Sequence, residues 1–354
     1  VKGWKRAGPA IGLVLAWILF AALAGSGFAS FENQRLMLLQ TAVVGTAAVG
    51  GTLILVSGGI DLSVGSTIAL GTMSGAITLR SGASPGVAAL AGIATGVLAG
   101  AVIGTMVVGR IAAAVALVAG AFAGWRLGGL GGAAVGAAVC GTLGFVIARR
   151  ARLPLSPFIV TLGMWGAIRG VAKGIGGNQP VYPPSPPGTG WLAGMMLPGA
   201  LPGGIVVLAV VAVVASVLLR TTKLGRHALA VGSNEEAARL CGVDVERTKL
   251  WVYGIGVGCA GIASVLQLSY LSMGDPTTAQ GAELKVIAAA VIGGASLSGG
   301  EGSILGTLLG ALLMTVIDNG CTKLGLDNWV QECVTGAIIV AAVAVDRLRH
   351  RAER

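Results

Sequence analysis

Apolar runs of membrane-spanning length recur along the whole chain, divided by short polar interruptions. They read 9–24, 36–56, 86–108, 111–125, 128–148, 202–219, 250–271, 283–297, 303–320 and 329–345. Two more runs open at GGIDLSVGS (58–66) and PFIVTLG (157–163), ending near Arg80 and Lys173. A helix of about 20 residues covers the roughly 30 Å of hydrocarbon in a bilayer. No polar stretch long enough for a soluble domain lies between the runs, so residues 1–354 read as one all-α, polytopic membrane domain. Lys2, Lys5 and Arg6 before the first run also fit a signal peptide, but further spans follow directly and the run reads as a first helix. The run 111–125 is short for a crossing, and a re-entrant segment stays open there.

One segment breaks this pattern. Of 24 basic and 14 acidic side chains in the chain, ten fall within 220–249. A stretch that polar cannot lie in hydrocarbon, so it belongs to water at a membrane face. Ser233-Asn234-Glu235-Glu236 has the form of a capping box, with Ser233 as the N-cap and Glu236 reaching back. Ala237, Leu240 and Cys241 then share a face, and Gly242 marks the stop. The spacing predicts a surface helix of about two turns, roughly 12 Å long, held between two spans.

Orientation follows from charge. With both termini on the cytoplasmic side, 17 of the 24 lysines and arginines fall in cytoplasmic segments, as the positive-inside rule requires. The seven at outer ends are Arg35, Arg80, Arg126, Arg169, Lys173, Lys285 and Lys323. The proline- and glycine-rich stretch 174–200 then faces outward. A net charge of +10 therefore needs no nucleic-acid partner.

Composition also narrows the chemistry. Two histidines (His227, His350) and five scattered cysteines without CxxC spacing leave no metal site, and no cofactor is implied. No GxxxxGK[ST] string occurs, so the chain does not cradle ATP. The GxGxxG at Gly256, Gly258 and Gly261 lies inside an apolar run and reads as helix packing, as do Gly92, Gly96, Gly100 and Gly104. The GxSxG string at 82–86 would need a base on its own side of the membrane, and both histidines fall on the other. An ion-coupled carrier of small polar solutes is the alternative to an ATP-driven one. Against it, Asp61, Glu283, Lys285, Glu301 and Asp318 all lie near run boundaries instead of within runs.

Six strings in order carry a resemblance: GGIDLSVGS (58–66), LPLSPFIVTLGM (153–164), GGNQPV (176–181), GSNEEAARLCGV (232–243), AAAVIGGASLSGGEGSILGTLLGAL (288–312) and GAIIVAAVAVDRLR (336–349). Together they resemble the permease subunit of bacterial ABC importers for ribose, xylose, arabinose, galactose and autoinducer-2. The resemblance implies a multi-pass permease of ten helices in the bacterial cytoplasmic (inner) membrane. About 40 residues around 86–126 look additional, and as a helical hairpin they would raise the count to twelve. It further implies a non-enzymatic transport subunit that moves a ribose-like sugar or related polyol. Its partners would be a sugar-type ABC ATPase, a periplasmic or lipid-anchored sugar-binding protein and a second permease, either an identical copy or a close paralogue, all within membrane lipid.

On that resemblance the segment 220–249 is a coupling loop whose ATPase contacts are Asn234, Glu235, Glu236, Ala237, Ala238, Arg239 and Gly242. Candidates for the substrate path are Asp61, Ser63, Thr161, Asn178, Gln179, Gln267 and Asn319, polar residues that would equally serve as caps or bridges between spans.

Overall fold

The computed structural model describes residues 2–147, 153, 155–184 and 203–352, and apart from one isolated bridge its regular elements are helices. In chain order these are α1 (Lys2–Ala24), α2 (Ser26–Ala29), α3 (Phe31–Val56), α4 (Val64–Arg80), α5 (Pro85–Val107), α6 (Ile111–Ile147) and α7 (Pro157–Ile175). There follow α8 (Gly203–Thr221), α9 (Lys223–Ser233), α10 (Glu235–Leu240), α11 (Val245–Leu271), α12 (Ala282–Ile292), α13 (Ile304–Lys323) and α14 (Asn328–Ala352). Among the described residues α3, α5, α7, α8, α11 and α13 are long and apolar enough to cross a bilayer. Shorter apolar stretches lie at Gly8–Ala24, Ile111–Gly124, Val135–Gly144 and Trp329–Ala341. Most of the expected outer loop 174–200, from 185 onward, lies outside the described residues.

The bundle is built around α3 and α11, both buried over most of their length, with α11 packed on α3, α4 and α5. In lipid the packing of small residues, not the exclusion of water, draws helices together. The α5–α11 seam shows this: a Cβ on Gly96 would lie 2.5 Å from Gly261 Cα, and one on Gly100 would lie 2.6 Å from Tyr253 O. The glycines 92–104 and the GxGxxG string are two sides of one close-packed seam. Outside the bundle, Val210, Val213 and Val217 of α8 are more than half exposed, as side chains facing hydrocarbon should be.

α6 is not a straight rod. Gly120 and Gly136 would be about 24 Å apart along a straight helix, yet a Cβ on Gly120 would sit 2.2 Å from Gly136 O. Gly124 meets Gly132 and Leu117 meets Gly141 in the same way, and Gly129 between them has φ +62°. The segment is a helical hairpin folded at Gly129, with both arms returning to the end where Gly109 O accepts from Leu153 N. The back-folded segment is thus 111–147, while 86–107 lies in the central bundle.

The reading of 283–297 as a crossing needs correction. α12 has eleven residues, about 16 Å, half of what a bilayer requires. It pairs with α13 instead, so closely that a Cβ on Gly310 would meet Ala289 O at 2.1 Å. Helix formation stops at Gly293 and Gly294 (φ +92°), where the chain turns into the loop before α13.

Candidate functional site

Two polar regions stand out, one at an end of the bundle and one inside it. The first is the stretch from α9 to α11. The expected capping box does not form: Ser233 ends α9 and gives its hydroxyl to Leu229 O. Asn234, with extended backbone (φ −159°), is the N-cap, and its Oδ1 accepts from Ala237 N at 3.0 Å. Ser233 cannot cap because it continues the preceding helix. α10 is six residues long, about 9 Å.

Gly242 (φ +82°) ends α10, with Val243 N donating to Ala238 O and Val243 packing beside Ala238, Val231 and Val245. Ala238 is the buried residue of this helix. The Ala237–Leu240–Cys241 face is exposed, and Leu240 is 89% accessible. Glu235 is held by Lys249 (2.7 Å) and Arg239 (3.0 Å). Its partial burial pushes the carboxyl up, but the two cations outweigh this and hold it below the ordinary value. Glu236, Ala237 and Arg239 are exposed along with Leu240.

This stretch is seated on the ends of the spans through glycine. A Cβ on Gly232 would lie 1.9 Å from Val56 O and 2.6 Å from Gly300 N, and Gly299 meets both Gly232 and Gly58. Gly300 N donates to Val56 O across the same junction. A further tie joins Arg110, between α5 and α6, to Glu246 on α11 at 2.8 Å. The stretch from α9 to α11 is thereby packed against the end of α3 and the α12–α13 loop and tied to the α5–α6 junction.

The second region lies where α4 and α12 begin. Asp61 Oδ1 accepts from Ser63 N (2.8 Å) and Ser63 Oγ (2.6 Å), so it forms a local turn. Neither residue's side chain caps α4. Thr161 on α7 donates to Ile60 O, and Ser66 donates to Trp165 O. Gly274 packs against Thr72 and Met73 of α4 and bridges Val181, but Ala279 O reaches Gly65. The chain therefore descends about 12 Å along α4 before α12 starts inside the bundle.

Glu283, in the first turn of α12, is buried, accepts from Trp165 and lies near Asp61 and Arg169. Arg169 Nη1 donates to Pro276 O and Thr278 O, and Gln267 donates to Thr278 Oγ1. Asp61, Ser63, Thr161 and Gln267 thus belong to one polar column. Asn178 and Gln179 are exposed at the Val181 end, while Asn319 lies elsewhere, exchanging amide hydrogen bonds with Asn33 between α3 and α13. Glu283, Arg169, Trp165, Thr278 and Tyr253 join the column although the sequence reading did not place them in the path. Glu283 and Arg169 looked like charges at helix ends because the descent of 274–281 is invisible in hydropathy.

Comparison with known proteins agrees along the whole chain. Residues 106–343 match the family model described as "Branched-chain amino acid transport system / permease component". The ribose import permease protein of Escherichia coli (strain K12) is 32% identical over 352 residues, covering 99% of this chain and 96% of the relative. The fructose import permease protein of Rhizobium meliloti is 31% identical over 347 residues, 96% of this chain and 84% of the relative. The xylose transport system permease protein of Haemophilus influenzae is 42% identical over 146 residues, 41% of this chain and 39% of the relative. No solved structure matches.

Proposed function

From the premise that this chain belongs to the permease family of bacterial ABC importers, as a multi-pass inner-membrane protein, we propose that it carries a neutral monosaccharide, ribose-like or a related polyol, into the cytoplasm. The observation that supports this reading best is the 32% identity to a ribose import permease over 99% of the chain. A separate sugar-type ATPase supplies the energy by docking on α10, and a periplasmic or lipid-anchored binding protein delivers the sugar on the opposite side. Two permease subunits share the ATPase dimer. Both termini and the 220–249 stretch are cytoplasmic.

The exposed face of α10 supports the docking role. Leu240 offers an apolar anchor on this exposed face, and Glu236, Arg239 and Asp244 nearby in the chain are exposed as well. Centrally placed apolar side chains within a polar rim are the usual anatomy of a protein interface. The segment contributes Asn234, Glu235, Glu236, Ala237, Ala238, Arg239 and Gly242 as proposed, and Leu240 in addition. Ala238 and Gly242 act on shape, the first by seating the helix and the second by ending it.

An ion-coupled carrier is the second reading, and buried Asp61 and Glu283 are the kind of intramembrane carboxylates such carriers use. Charges near run boundaries in sequence therefore do not exclude it. Likeness to ABC import permeases favours the ATP-driven reading.

The test is to measure ATPase co-purification and sugar uptake in Glu236→Lys and Leu240→Asp. Both should insert normally and lose ATPase association and uptake together, by about tenfold or more for Leu240→Asp. Normal retention of the ATPase with near wild-type uptake in both variants would refute docking on α10. Uptake abolished by a protonophore in ATP-loaded proteoliposomes would favour the carrier.

A further inference from the structure

Polar atoms in the column where α4 and α12 begin are not all matched with one another. Asp61 is 4% exposed and Tyr253 1%. Ser63 occupies Asp61 Oδ1, but Asp61 Oδ2, Tyr253 Oη and Glu283 Oε2 have no hydrogen-bond partner among the described residues. Two of these atoms face glycines. A Cβ on Gly59 would lie 2.4 Å from Tyr253 Oη, and one on Gly65 would lie 2.4 Å from Glu283 Oε2. Gly59 and Gly65 thus let Tyr253 Oη and Glu283 Oε2 lie directly against the backbone on either side of Asp61.

A desolvated acceptor without a donor is unfavourable, and buried polar groups in folded proteins nearly always find partners in a state the protein visits. The ligand that would satisfy these follows from their kinds. Asp61 and Glu283 accept, and a tyrosine hydroxyl both donates and accepts. Arg169 beside Glu283 offsets one negative charge, which disfavours a free cation, while Asp61 disfavours an anion. No group of three or more metal-ligating side chains occurs among the described residues. Hydroxyls, each giving and taking a hydrogen bond, complement this set.

We infer that the stretch from Gly59 to Gly65, with Asp61, Tyr253 and Glu283, is a binding station for the hydroxyl groups of a neutral polyol part-way across the bilayer. It rests on the reading of the chain as a monosaccharide permease and adds to it the residues that hold the sugar. The break between 274–281 and α12 places the station inside the membrane, as interrupted helices do in transporters.

The experiment reconstitutes the full transporter with its ATPase and binding protein in proteoliposomes and measures ribose, xylose and fructose uptake alongside ATP hydrolysis. Asp61→Asn and Glu283→Gln keep size and exchange an acceptor for a donor. Each should lower uptake by about tenfold or more, with ATPase assembly and stimulated ATP hydrolysis held within about twofold, so that hydrolysis no longer moves sugar. Tyr253→Phe keeps the ring and removes only the hydroxyl, and should cost about fivefold in uptake. If the carboxamide variants fail to assemble, Tyr253→Phe decides. Wild-type uptake in an assembled Tyr253→Phe complex overturns the station, as does wild-type uptake in both carboxamide variants. Uptake that requires sodium and falls in Asp61→Asn along with that requirement would assign the site to a cation instead. A wild-type complex that hydrolyses ATP and moves none of the three sugars would refute the monosaccharide reading itself, which is a separate outcome.

Discussion

Asn234 takes the Ala237 N–H from an extended backbone that only the residue between two helices adopts. Asn234→Ala should therefore weaken α10 by about 1 kcal/mol, seen as faster amide exchange across 235–240 with the spans unaffected. Gly242 at φ +82° has open space around it, so Gly242→Ala meets no clash and costs only backbone strain, about 1–2 kcal/mol. Glu235 makes the same helix sensitive to acid. Its folded value lies below its unfolded one, so the stabilisation is fully present above the ordinary 4.5 and is lost as pH falls below that through the lowered folded value. Amide protection of 235–240 should fall in that acid window, and Glu235→Gln should remove the pH dependence while leaving the helix weaker at neutral pH.

At the scale of elements, the hairpin α6 gives the sharpest test of chain path. Residues 117 and 141 would lie about 36 Å apart in a straight helix, whereas Leu117 packs on Gly141 here. Leu117→Cys with Gly141→Cys should crosslink on mild oxidation in membranes, and an absence of crosslink in well-inserted protein would mean the arms do not fold together. Glycine makes the hairpin, since Gly120, Gly124, Gly132 and Gly136 bring backbone against backbone. α12 makes the complementary point. Its sequence is as apolar as a span, but it is too short for one and works as half of a pair with α13.

For the whole molecule, the decisive contact is where α9 meets the ends of the spans. Gly232→Ala would drive a methyl into Val56 O and Gly300 N, backbone atoms that cannot step aside. The cost should be about 1–3 kcal/mol of stability, and transport per ATP hydrolysed should fall even where ATPase association survives. Proteolysis midpoints and coupled uptake assays would measure the two separately. Topology has its own check through the exposed Cys241. In a Cys333→Ser background an impermeant thiol reagent should label Cys241 in inside-out vesicles and not in intact cells; labelling from outside would reverse the orientation proposed for the chain.

Hydropathy along the chain was enough to determine the class of fold, because in a bilayer a run of some 20 apolar residues has few alternatives to a helix. It also determined the polar segment 220–249, since ten charges cannot enter hydrocarbon, and Gly242 as the end of its helix, since only a residue tolerant of positive φ closes such a turn. Local strings further marked Asp61 and Ser63, which hydrogen-bond to each other, and Thr161, which donates to the adjacent Ile60 O. The cap at Asn234 was decided by the length of the helix before it, which local spacing does not reveal. Nor could any one-dimensional pattern place Glu283 and Tyr253 near Asp61 and Arg169 near Glu283, or separate Asn319 from them. That depended on the descent of 274–281 along α4 and on backbones approaching at glycine, which are contacts between segments distant in sequence, set by packing and not by the composition of either one.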